Sequence, residues 1–160
     1  MDFWDYSLRE MLSSDVCNFS EEHLIVLVYN LLCAINYLHN VNVIHRDIKP
    51  SNIMVTVDCC VRICDFGFAR SYDKTNLKAR EISPVAYSRW YRPPEIILCT
   101  EYDFKADSWS LGCVFAELAS KIMNKTKMKS HALFKGNSCY PISPCSEIET
   151  QYKTEFNELH

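Results

Sequence analysis

Apolar residues recur three or four positions apart from Leu24 to Leu38, through Leu27, Val28, Leu31, Leu32 and Ile35. That spacing predicts an amphipathic helix over 21–40. Ser20 stands where an N-cap belongs, and Glu21 and Glu22 suit the positive end of the helix dipole. Short β-branched runs follow at Val43-Ile44 and over 53–57, and Val61-Arg62-Ile63 reads as the return strand of a hairpin turning at Asp58-Cys59. From Arg70 to Ser88 the periodicity vanishes and a long loop is predicted. Pro93-Pro94-Glu95 opens a short helix, because proline suits the first helical turn. A second apolar helix is predicted over 107–120, packed against the first. Lys121, Lys125, Lys127 and Lys129 then mark a polar, basic insert. The mixture predicts an α+β fold, mostly helical, with short two-stranded β elements.

Composition narrows the function classes. The 160 residues are 48% hydrophobic and 23% charged, which suits a folded domain rather than a disordered tail. The net charge of −3 gives no basic field, so nucleic acid is not an expected partner. The run from Leu24 to Leu38 is interrupted by Asn30 and Asn36, too short and polar to cross a bilayer, so no membrane is expected either. Nine cysteines lack any C-x-x-C spacing. They read as reduced thiols rather than zinc ligands, in a cytoplasmic or nuclear protein. The three glycines, Gly67, Gly112 and Gly136, lie too far apart for a G-x-G-x-x-G or a Walker A loop.

Two strings carry chemistry. His45-Arg46-Asp47-Ile48-Lys49-Pro50-Ser51-Asn52 follows a strand and precedes the hairpin, and Asp65-Phe66-Gly67 closes it. Either alone is weak, since Asp-Phe-Gly also suits an ordinary turn. In this order, around a hairpin of this length, they resemble the catalytic loop and metal loop of a protein kinase. Arg92-Pro93-Pro94-Glu95 resembles the kinase Ala-Pro-Glu signature with proline for alanine. Asp107-Ser108-Trp109-Ser110-Leu111-Gly112 resembles the start of the domain's central helix. Ser88-Arg89-Trp90-Tyr91-Arg92 is similar to the group of mitogen-activated and cyclin-dependent kinases. Cys64, Ala69-Arg70 and Leu133-Phe134-Lys135-Gly136 look most like the mitogen-activated branch.

The resemblance implies roles. Phosphoryl transfer asks for positioning and charge neutralisation. Asp47 would accept or orient the substrate hydroxyl proton, Lys49 would reach the transferring phosphate, and Ser88 would bond both. Asn52 and Asp65 would bind Mg2+, and Met54, otherwise a strand-core methionine, would lie under the adenine of ATP. His45, Phe66, Gly67, Glu95 and Asp107 would be structural: Phe66 packing beneath the site, His45 continuing its apolar stack, Asp107 holding backbone amides of the catalytic loop. Arg46 would be held by a phosphorylated activation loop. The branch's Thr-x-Tyr pair is absent from that loop. Ser83 takes the threonine position and Val85 the tyrosine position, with Tyr87 displaced. Ser83, followed by Pro84, is a candidate phosphosite or an unmodified loop serine. Arg92 matches the arginine that favours proline after the target residue.

The family also implies an upper lobe with a glycine-rich loop and a phosphate-binding lysine, but the first lysine here is Lys49. A buried arginine expected to pair with Glu95 has no counterpart, since no arginine follows Arg92. The expectation is therefore residues 1–160 as a lower-lobe piece of a Ser/Thr kinase domain, inactive by itself. Protein substrates and an upstream activating kinase are its expected partners. The alternative is a non-catalytic kinase-like interaction module.

Overall fold

A computed structural model describes residues 6–14, 19–72, 88–98, 100–123 and 132–135. Four helices and five short strands are built from them: β1 Tyr6–Ser7, α1 Leu8–Ser13, α2 Glu21–Asn40, β2 Val43–Ile44, β3 Ile53–Val55, β4 Val61–Ile63, β5 Arg70–Ser71, α3 Pro94–Ile97 and α4 Lys105–Met123.

Helix α2 has the predicted bounds. Ser20 caps it by accepting from the His23 amide, and His23 Nδ1 accepts from the Ser20 amide in return. The pair closes a capping box with histidine in the usual Glu/Gln position. Leu27, Leu31 and Ile35 form its buried stripe. Leu32, one position off that stripe, is half exposed, so the apolar pattern overstates the core. Asn42 ends the connection in the left-handed region at φ 56°, where asparagine is tolerated.

Four local readings need correction. The N-terminal residues fold into β1 and α1, for which no periodicity spoke, because two strand residues and six helical residues are too few to show one. Strand β1 pairs antiparallel with β3, so the hairpin belongs to a three-stranded sheet in the order β1-β3-β4 rather than a two-stranded element. Arg70–Ser71, predicted as loop, pairs antiparallel with β2 as β5. Helix α4 runs to Met123, past the predicted end. Lys121 therefore lies in its last turn rather than in an insert, where a cation suits the helix dipole, and its Nζ donates to the Ser14 carbonyl at 2.8 Å. Lys125, Lys127 and Lys129 lie outside the described residues.

One core joins these elements. Leu8 and Leu12 from α1, the α2 stripe, Ile53 and Val55 from β3, and Leu111, Val114 and Leu118 from α4 pack together. Helices α2 and α4 share this core, as predicted. A smaller cluster of Ile44, Ile96, Tyr102 and Ala106 seats β2 and α3 against the start of α4. The segment between β2 and β3 crosses from one cluster to the other and carries the candidate chemistry.

Candidate active site

The segment 45–52 has an unusual backbone. Arg46 has φ 67°, a conformation costing a non-glycine residue about 1–3 kcal/mol. Asp107 holds it there. One carboxylate oxygen accepts from the His45 amide at 2.8 Å and the other from the Arg46 amide at 2.9 Å. His39 Nε2 lies 3.0 Å from Asp107 Oδ2. Asp107 is fully buried, and these contacts satisfy it. Helix α4 thus fixes the loop through one side chain.

His45 is fully buried. The Asp47 amide donates to its Nδ1 at 3.3 Å, so Nε2 carries the proton and donates to the Cys64 carbonyl at 3.1 Å. Burial holds the imidazole below its usual range, against the pull of Asp107, Asp47 and Asp65. The neutral ring is the form this wiring needs. Phe66 meets His45 edge to face, with ring centroids 4.8 Å apart. Phe66 is nevertheless 47% exposed, so the expected packing beneath the site is reduced to one ring edge.

Asp47, Lys49, Asn52 and Ser88 converge. Lys49 Nζ lies 2.6 Å from Asp47 Oδ2 and 2.9 Å from Ser88 Oγ. Asp47 Oδ1 accepts from the Ser88 hydroxyl at 2.8 Å and its amide at 3.2 Å. Asn52 Nδ2 donates to the Asp47 side chain and to its carbonyl, both at 2.9 Å. Asp47 is 2% exposed, and its carboxylate has donors on both oxygens. An incoming hydroxyl would have to displace one of them, and the Ser88 amide is the longest.

Ser88 comes from 41 residues away, so its placement needs an anchor. The 3₁₀ turn Arg89–Tyr91 provides it. Ser110 Oγ donates to the Tyr91 carbonyl, and the Tyr91 hydroxyl donates to Glu117 Oε1, each at 2.7 Å. Both partners sit on α4. Sequence reasoning missed Glu117, although a glutamate within the apolar stripe Leu111, Val114, Leu118 is a legible anomaly. Burial raises its carboxyl above the usual range, opposed by the Tyr91 hydroxyl and the charges of Arg9 and Lys135. Burial also pushes the Tyr91 hydroxyl up, and the Glu117 bond adds to it.

Asp65 is held differently. Its φ is 62°, it is exposed, and Oδ1 accepts from the Gly67 amide at 3.3 Å. A Cβ at Gly67 would stand 3.2 Å from that oxygen, so glycine keeps room for the carboxylate. The Cys64 amide donates to the Asn52 carbonyl at 2.9 Å, which sets Asp65 beside Asn52 in the backbone. The Asn52 amide nitrogen is committed to Asp47, leaving its oxygen for a cation. A carboxylate and an amide oxygen suit a hard cation that keeps water and phosphate ligands.

The other predicted residues scatter. Met54 is half buried in β3, opposite Ser7 and Arg62. Arg46 is buried, with Nε donating to the Phe68 carbonyl at 2.6 Å and Nη1 to the Tyr102 hydroxyl at 3.1 Å. Glu95 is half buried, in the first turn of α3, where a carboxylate suits the helix dipole. Arg92 is half buried just after the turn that carries Tyr91. Ser83 lies outside the described residues.

Residues 1–157 match the protein kinase domain model. The stress-activated protein kinase JNK of Suberites domuncula is 41% identical over 123 residues, covering 73% of this chain and 33% of its own. Mitogen-activated protein kinase 14 of Arabidopsis thaliana is 37% identical over 118 residues, covering 73% and 31%. Among solved structures, one chain of the yeast RNA Pol II CTD kinase CTDK-1 complex superposes with a TM-score of 0.74 at 31% identity, over 86% of this chain and 41% of that one. The chain thus spans about a third of the length of the curated relatives it matches.

Proposed function

This chain belongs to the protein kinase family, and from that premise we propose that residues 1–160 carry the phosphoryl-transfer loop, metal turn and substrate-facing segment of an ATP-dependent protein serine/threonine kinase of the mitogen-activated type. One observation carries the reading: Asp47, Lys49, Asn52 and Ser88 meet in one part-buried network, with the exposed Asp65 turn bonded through the neighbouring Cys64 amide to the Asn52 carbonyl. The Ser88 hydroxyl reaches Asp47 from 41 residues away although Lys49 already holds the same carboxylate.

Asp47 would take the place of general base or hydroxyl-orienting group. A substrate hydroxyl replacing the Ser88 amide at Oδ1 would be aligned by the acceptor and deprotonated as it attacks. Lys49 already bridges Asp47 and Ser88, and its charge would stabilise the phosphoryl oxygens as they gain charge. Asn52 and Asp65 would hold Mg2+, which when bound neutralises phosphate charge. The β3 position of Met54 suits a contact with adenine. No other lysine precedes Lys49 in the chain, and no paired-glycine loop occurs in it, so a clamp on the α and β phosphates is not among these residues. Arg92 supports a preference for proline after the target residue, and Ser83 is the candidate site for an activating kinase.

The test is made on the protein purified from its source through a tag at the endogenous locus. Phosphate transfer from Mg–ATP to Ser-Pro and Ser-Ala peptides is measured for the native form and Asp47→Ala. The expected loss is about 10²–10⁴-fold, the usual worth of positioned acid–base help. Transfer that survives the substitution overturns the assignment. A native protein that transfers nothing, yet captures kinase substrates, moves the chain to the non-catalytic reading.

A further inference from the structure

The buried guanidinium of Arg46 donates to two neutral acceptors, the Phe68 carbonyl from Nε at 2.6 Å and the Tyr102 hydroxyl from Nη1 at 3.1 Å. A buried cation needs its donors satisfied. The planar fork sets both directions at once, so the acceptor at one arm decides where the other arm points. The resemblance assigns Arg46 to a loop phosphate; the Tyr102 hydroxyl holds it here with no charge of its own.

The two acceptors belong to different parts of the molecule. Phe68 lies three residues past Asp65, near the far end of the metal turn. That turn is closed internally by the Gly67 amide on Asp65 Oδ1 and by the Ala69 amide, which donates to the Phe66 carbonyl at 3.0 Å. It is tied down at its start, where the Cys64 amide meets the Asn52 carbonyl, and near its end by Arg46 and the β5 pairing that begins at Arg70. Tyr102 lies just before α4. Its ring is buried with Ile44, Ile96 and Ala106, and Tyr72 and Phe104 pack against that cluster. Packing therefore fixes the ring, and the ring presents its hydroxyl to Arg46 as a fixed point.

We propose that Tyr102 is a positioning residue for the candidate metal site: through Arg46 it sets the end of the 65–69 turn, and so the place of the Asp65 carboxylate relative to Asn52. The inference rests on the reading of Asp65 and Asn52 as cation ligands. Asp65 is itself exposed and sits at φ 62°, so its place is set by the backbone on either side. Partners one step behind a metal ligand carry about 10–100-fold in affinity.

Mn2+ is titrated into the protein isolated through its endogenous tag, and free ion is read by electron paramagnetic resonance. Tyr102→Phe keeps the ring and removes the hydroxyl. It should weaken Mn2+ binding about tenfold, the lower end of the range for such partners. In transfer assays the half-saturating Mg2+ should rise by a similar factor, with the rate at saturating Mg2+ unchanged. A role in stability alone would leave the Mn2+ affinity where it is. Arg46→Lys, which keeps the charge but not the fork, should lose as much, and the double variant no more than either. Unchanged Mn2+ affinity in Tyr102→Phe, with Asp65→Ala losing it, overturns the inference and leaves the metal reading standing. Additive losses in the double variant overturn the route through Arg46. Mn2+ retained by Asp65→Ala overturns the metal reading and the inference with it.

Discussion

Asp47 and Asp65 stand at two ends of one candidate site, and the fold treats them oppositely. Asp47 is 2% exposed, with lysine, serine and asparagine donors on its carboxylate. Asp65 is exposed, its side chain holding the Gly67 amide at 3.3 Å. A buried carboxylate needs such donors, because leaving it unpaired costs several kcal/mol. An exposed one is solvated and free to exchange water for a cation. The difference separates a positioning half, built into the core, from a capture half that is complete only with a ligand. The core's hold on the first half passes through Asp107 and the Ser88–Tyr91 turn.

The comparison is tested hardest at Asp107. Asp107→Ala would leave the His45 and Arg46 amides and His39 without their acceptor, and would release the strained φ at Arg46. Each stranded buried donor costs about 1–3 kcal/mol, so a loss of about 3 kcal/mol or more is expected. Against a total of about 5–15 kcal/mol, the urea midpoint should fall sharply. A loss under 1 kcal/mol would mean the loop holds its shape without α4.

Ser88→Ala should cost less, about 1–2 kcal/mol, by removing the hydroxyl from Asp47 and Lys49 while the Ser88 amide stays on Oδ1. Asp65→Ala should cost least, about 1 kcal/mol, because alanine fits φ 62° less well than aspartate while the exposed Gly67 amide passes to water. The same variant should lose Mn2+ binding, read by electron paramagnetic resonance as free ion. A large destabilisation by Asp65→Ala would erase the contrast between the halves. Retained Mn2+ affinity would remove Asp65 from the metal site.

The sequence displayed these halves unequally. Helix α2, the hairpin and α4 were legible because long periodic segments expose their buried face. The motif strings located Asp47, Lys49, Asn52 and Asp65, and the resemblance implied that Ser88 bonds Asp47 and Lys49, but the turn and the α4 bonds that anchor Ser88 appear only in the folded chain. Helix α1 was overlooked despite a readable Ser7-Leu8-Arg9-Glu10 capping box, in which the Ser7 amide donates to Glu10 Oε2 at 2.7 Å. Tyr102 was invisible for another reason: its partner Arg46 lies 56 residues away, and no local pattern announces such a bond. Glu117 showed only as a glutamate within an apolar stripe, with its partner Tyr91 26 residues away.

The smallest expected effect concerns pH, and it separates the two anchors of the positioning half by sign. His45 is held below its ordinary range, chiefly by burial. The unfolded chain therefore binds a proton that the folded one refuses. Stability from this group is present above the unfolded imidazole value, near 6.5, and is lost as pH falls below it toward the lower folded value. Glu117 is raised by burial, so the folded state keeps a proton that the unfolded chain releases. Its contribution is full below the ordinary carboxylate value of 4.5 and declines as pH rises through the higher folded value. Glu117→Gln should retain an acceptor for the Tyr91 hydroxyl and flatten the decline above pH 4.5 without touching the acid limb. His45→Gln should do the reverse, flattening the loss on acidification below pH 6.5. Urea midpoints across pH 4 to 8 distinguish the two. If either variant flattens both limbs, Glu117 and His45 titrate as one unit, and the anchor of Ser88 and the anchor of Asp47 are a single electrostatic element rather than two.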